Sequence, residues 1–103
     1  MKEMLKNLVD EVINIDPENE ILHDINYEKR LNLMKQDLNK TIDYLNTCSA
    51  LEFSWATEVL DDLSEYFKSI KLIECVENNI SRFDDEELIK DIKMTLDDVK
   101  MCL

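Results

Sequence analysis

An all-α fold, a single compact bundle of about five helices spanning residues 1–103, is what this sequence predicts, and three observations carry the prediction. Apolar residues recur at helical spacing along almost the whole chain. There is no glycine and one proline, Pro17, so hairpins, βα turns and phosphate-cradling loops lack the residue that reaches positive φ. With 45% hydrophobic residues and a mean hydropathy of −0.34, the chain is too apolar for an acidic disordered tail yet has no run able to span a bilayer. A domain of this length buries roughly 65% of its unfolded surface, which suits one core and no separately walled cleft.

The first helix is expected from Lys2 to about Ile15, burying Met4, Leu5, Leu8, Val9, Val12 and Ile13. Asp16 is a good N-cap and Pro17 has the fixed φ of a first helical residue, so a second helix is expected to start there. Its stripe runs Ile21, Leu22, Ile25, Leu31, Met34, Leu38, Ile42 and Leu45. Unbroken from Pro17 to Asn46, it would be about 45 Å long, more than so small a domain holds, which predicts a break near Asp24 to Asn26. Ser49-Ala50-Leu51-Glu52 has capping-box spacing and opens a third helix reaching about Phe67. Lys68 suits the end of that helix, and Ser69 the N-cap of a fourth carrying Ile70, Ile73, Val76 and Ile80. Asp84-Asp85-Glu86-Glu87 puts capping-box spacing and negative charge at the start of the last helix. There Ile89, Ile92, Leu96, Val99 and Leu103 form a seam suited to lengthwise packing or to pairing with a second copy. Leu60-Asp61-Asp62-Leu63 and Leu96-Asp97-Asp98-Val99 share a pattern, which admits a piece of HEAT-like α-hairpin packing.

Twenty-four acidic against 12 basic residues leave a net charge of −12, the wrong sign for a protein that replaces counterions on nucleic acid. The charge is uneven. Residues 1–40 and 68–103 each carry nine acids and six bases, whereas residues 41–67 carry six acids and no base. On a continuous third helix, Glu58, Asp61, Asp62 and Glu65 share a sector of about 100° opposite Phe53, Ala56, Val59, Leu60, Leu63 and Phe67, with Trp55 and Tyr66 at the border. Glu58 to Asp62 and Asp61 to Glu65 are like-charge i,i+4 pairs, each unfavourable by roughly 0.2–0.5 kcal/mol. Stability alone would interleave lysines, and the aromatic types beside the acids are those enriched at interface hot spots. The acidic run at Asp84 to Glu87 is explained by the helix dipole instead. Lys29, Arg30, Lys35 and Lys40 are expected to line the outer face of the second helix and to offset the acidic one.

Catalytic readings find less to stand on. Asp61-Asp62-x-x-Glu65 is similar to the aspartate-rich motif of prenyl-transferring enzymes, which need two such motifs facing one cavity. Glu58-x-x-Asp61 matches one half of the EExxE and ExxD pair of all-α nucleotide pyrophosphohydrolases, whose Mg²⁺ chemistry requires both halves. Glu20-x-x-His23 has the spacing of a di-iron bundle, which needs two copies, and His23 is the only histidine. Cys48, Cys75 and Cys102 are dispersed and odd in number, as expected of reduced cysteines acting as small hydrophobes. The N-terminus has no apolar signal region, so a cytoplasmic protein without cofactor, metal or membrane association is expected.

With the segment from Phe53-Ser54-Trp55 through Lys68-Ser69-Ile70-Lys71-Leu72-Ile73-Glu74 in view, the chain resembles the small, acidic, all-helical immunity proteins of bacterial toxin systems, the colicin-type inhibitors among them. The resemblance implies inhibition of a basic partner, such as a nuclease toxin, by binding through an acidic helical face. It implies no catalytic residue. Its partner-binding residues would be Glu58, Asp61, Asp62, Glu65 and Tyr66, with Trp55 as an anchor. The competing expectations are a self-associating module that dimerises through the last helix and a Mg²⁺-dependent nucleotide pyrophosphohydrolase.

Overall fold

In the computed structural model, which describes residues 1–101, seven helices form where about five were expected. Cys102 and Leu103, the last position of the expected seam, lie outside the described residues. Each extra helix comes from a break that apolar periodicity does not reveal.

Helix α1 (Lys2–Ile13) buries Leu5, Val9 and Val12, while Met4 and Ile13, expected inside, are exposed. Asp16 does not cap the next helix. Its carboxylate accepts from Glu18 N–H at 2.9 Å and its carbonyl from Asn19 N–H at 2.9 Å, so Asp16 to Asn19 is a turn with Pro17 in its second position. Asn19 is the N-cap of α2 (Glu20–Lys35), accepting from Leu22 N–H at 3.1 Å. No break occurs at Asp24 to Asn26. The break lies at Gln36 and Asp37, where the Asp37 carboxylate caps α3 (Leu38–Thr47) by accepting from Lys40 N–H at 3.0 Å. Thr41, on the first turn of α3, donates to the Met34 carbonyl across the break at 2.7 Å.

Ser49 caps α4 (Ala50–Thr57) as its spacing predicts, accepting from Glu52 N–H at 3.2 Å. The Glu52 carboxylate completes a different circuit from the capping box, accepting from the Ser49 hydroxyl at 3.3 Å and the Tyr44 hydroxyl at 3.0 Å. The expected third helix then divides at Glu58 and Val59, and α5 (Leu60–Phe67) follows. It ends at Lys68, whose φ of 48° is the one positive value among the described residues. Ser69 precedes α6 (Ile70–Ile80) without a side-chain cap bond. Asp85, rather than Asp84, caps α7 (Glu86–Met101), accepting from the N–H groups of Glu87 and Leu88 at 3.1 and 3.2 Å.

Packing joins α2 to α1, α3 and α5, α3 to α6, and α7 to α5 and α6. Partners far apart in sequence interleave, unlike the neighbour-to-neighbour stacking of a HEAT-like solenoid. The globule measures 32 × 30 × 25 Å around Leu5, Met34, Tyr44, Phe53, Leu63 and Leu72. The seam of α7 faces inward, with Ile92, Leu96 and Val99 buried and Ile89 half-buried. Its described part is therefore mostly packed against the fold, with Ile89 at the wall of a surface depression. No described helix is long and apolar enough to cross a membrane.

Polar groups hold α3 to α6. Asn79 donates to Asn46 Oδ1 at 2.7 Å, and the Arg82 guanidinium closes the end of α3 by donating to the carbonyls of Leu45, Asn46 and Cys48 at 3.2, 2.7 and 3.0 Å. A cation there also satisfies the negative end of the helix dipole. Cys48 and Cys75 are buried free thiols.

Candidate partner-binding surface

Arg30 organises the acidic region from inside. It was expected on the outer face of α2 but is 1% exposed. Its guanidinium donates to Asn26 Oδ1 at 2.7 Å, the Trp55 carbonyl at 2.7 Å and Glu58 Oε1 at 2.9 Å, and it lies over the rings of Tyr27 and Trp55. Five donors in a planar fork make one side chain able to serve three acceptors. The Trp55 carbonyl is the group that Val59 N–H would take in a continuous helix. With that acceptor occupied, Val59 N–H bonds Ala56 instead at 3.3 Å, and the helix breaks into α4 and α5. Ser54 and Thr57 loosen the same turn by donating to carbonyls three residues back.

The break separates residues that were expected on one face. Glu58 caps the end of α4 and is held by Arg30, with its side chain 46% exposed. Asp62 turns toward α2 and accepts from the Tyr27 hydroxyl. Burial, then that bond and the neighbouring carboxylates, keep Tyr27 well above the usual phenol range. Trp55 is half-buried over Arg30. Of the six expected interface residues, Asp61, Glu65 and Tyr66 are therefore the exposed ones that form no hydrogen bond or ion pair through their side chains among the described residues.

These three sit where α5 meets α2 on one side and α7 on the other. Glu65, Tyr66 and Asp62 share a cleft of about 380 Å³ with Glu28 and Lys35 of α2. Tyr66 is 59% exposed, packs edge-on to Phe67 at 5.0 Å, and carries the Lys35 ammonium 5.0 Å from its ring centroid. On the α7 side, partial burial first, then Asp98 and Asp62, push the Asp61 carboxyl above the usual carboxylate range. Asp98 thus extends the negative surface onto a second helix, and Glu28 onto a third.

Sequence reasoning missed Arg30, Asn26, Tyr27, Glu28 and Asp98. A signal for the first two exists: Asn26, Arg30 and Met34 recur at i, i+4 and i+8, in phase with the buried stripe. Polar residues in that phase must satisfy one another or a neighbouring helix. The remaining candidates stay apart. His23 Nε2 lies 3.2 Å from the Asp16 carbonyl, Glu58 and Asp61 sit on separate helices, and no group of three or more His, Cys, Asp or Glu among the described residues is placed to hold a metal. Comparison with protein-family models, curated proteins and solved structures gives no match to this chain.

Proposed function

We propose that this chain is a non-catalytic protein-binding module that neutralises a basic partner, such as a nuclease toxin, in the manner of an immunity protein. The observation that carries the reading is the exposed Tyr66 in a cleft with Glu28, Asp62 and Glu65, where Lys35 is the one lining cation, next to Asp61 and its neighbour Asp98 of α7. Burial first, then repulsion from Asp98 and Asp62, raise Asp61 and work against folding, and a positively charged partner would relieve the repulsive part. Tyrosine supplies rigid contact area beside charges that steer the encounter. Glu58, Asp62 and Trp55 take a supporting role, holding α5 against α2 through Arg30 and Tyr27.

The test is calorimetric titration of purified basic nuclease-toxin domains with the wild type and with Asp61→Lys/Glu65→Lys. The double reversal is expected to weaken binding at least about 100-fold with the far-UV circular dichroism unchanged, and wild-type affinity is expected to fall with salt. Equal affinity of the two proteins, or binding indifferent to salt, overturns the assignment.

A further inference from the structure

The α1–α2 hairpin leaves one face uncovered. Its register is set by Asn26 Nδ2 donating to the Leu8 carbonyl at 2.9 Å and by His23 against the Asp16 carbonyl, so the helices run antiparallel with residue 8 beside 26 and 16 beside 23. One end of the face presents Met4, 61% exposed, with half-buried Leu33. The α2 start at the other end presents Ile21, Leu22 and Ile25, which are 73, 46 and 44% exposed. Glu11, toward the α2 start, and Lys29, toward the Met4 end, stand on the walls of a depression of about 530 Å³ that Met4 and Leu33 also line and whose other polar walls are the amides of Asn7, Asn32 and Gln36. Neither Glu11 nor Lys29 forms an ion pair among the described residues.

The depression therefore carries no net charge in a chain of −12. We infer that the occupant of this face is a second copy of the chain, packed about a two-fold axis between Glu11 and Lys29. A two-fold axis there makes the contact isologous, with Glu11 of each copy against Lys29 of the partner subunit and apolar ends against apolar ends. Two molecules of this charge repel over most approaches, and here the opposed pair attracts. A basic partner finds its complement on α5, outside this face. Helices of 12 and 16 residues, about 18 and 24 Å long, offer a footprint in the class of weak, transient interfaces.

Sedimentation equilibrium of the full chain, from about 5 to about 500 μM, tests the inference. The weight-average mass is expected to rise from 12.2 kDa toward twice that value. Glu11→Lys and Lys29→Glu should each weaken association about tenfold or more, and the two together should restore it to within about threefold. Ile25→Asp should leave only monomer, with circular dichroism confirming that each variant is folded. A mass that stays at 12.2 kDa, single reversals without effect, or a double reversal that fails to restore association would each overturn the inference. Asp61→Lys/Glu65→Lys should leave self-association intact, which keeps this test separate from that of the α5 surface.

Discussion

Replacing Arg30 with methionine keeps the apolar stem and removes the guanidinium, which isolates what that group does. Asn26 Oδ1 loses its donor in a side chain that is 0% exposed, and a buried acceptor left unsatisfied costs about 1–3 kcal/mol. Contact with the rings of Tyr27 and Trp55 is worth a further 0.5–1 kcal/mol or so each. The pair with Glu58 adds less than about 1 kcal/mol, because that carboxylate is nearly half exposed and screened. The Trp55 carbonyl, 2.7 Å from the guanidinium, is freed for Val59 N–H. The sum is about 4 kcal/mol, which for a domain of this size lowers Tm by roughly 16–32 °C. Thermal melts at 222 nm and urea titrations followed by Trp55 fluorescence measure it. The helical signal of the folded variant should be no weaker than wild type, since the ladder across Val59 can close. Arg30→Lys, with a single-point donor in place of a fork, should recover less than half the loss. A loss below about 1 kcal/mol, or full recovery by lysine, refutes the role given to Arg30.

Arg82→Met should cost about 1 kcal/mol in a urea titration, because three carbonyls at the end of α3 lose their shared donor at an exposed position that water can reach; an unchanged midpoint would mean that water replaces it freely. Ser64→Ala should be neutral or stabilising by up to about 1 kcal/mol, since the Ser64 hydroxyl is buried without a hydrogen-bond partner among the described residues and alanine favours the helix. Alkali should destabilise the fold. Burial, helped by Glu52, pushes the Cys48 thiol up to about 11, and Tyr44 and Tyr27 are raised as well. Between the ordinary thiol value of 9.0 and about 11 the unfolded chain has released a proton that the folded chain keeps, so stability falls as pH rises, by up to about 1.4 kcal/mol per unit for each such group. A urea midpoint that is flat from pH 8 to about pH 10.5 contradicts this. Asp61→Asn should raise stability near neutral pH, because its elevated carboxyl value means that ionisation works against the fold, while weakening the basic partner. Thermal melts and the calorimetric titration read the two effects separately.

Where a helix starts was legible when the signal was local. Ser49 and the acidic run before α7 announce their helices because a side-chain acceptor beside the first amides acts within a few residues. Asp37 has the same chemistry but sits inside an apolar period that continues unbroken from Leu31 to Leu45, and length alone put the break ten residues too early. The division at Glu58 and Val59 had no local sign strong enough to read, because it depends on Arg30, 25 residues before Trp55. The same distance explains the partial reading of the acidic surface. Helical periodicity put Asp61 and Glu65 on the exposed face and Tyr66 at its border, yet it could not show that Glu58 and Asp62 face α2 or that Asp98 joins from α7. Ile21, Leu22 and Ile25 follow the helical period and are nonetheless outside, since period marks a shared face and not what covers it.

Lys68 bears on the molecule most when it is unfolded. A left-handed turn at a residue with a Cβ costs roughly 1–2 kcal/mol, and glycine would relieve it. Glycine would also widen the denatured ensemble, returning about 0.4–1 kcal/mol of the gain. Lys68→Gly thus comes out neutral to stabilising, by up to roughly 1.6 kcal/mol. A sequence without any glycine has a denatured chain with fewer backbone states throughout, so ordering it loses less entropy per residue, and among the described residues the strain of doing without glycine is concentrated at Lys68.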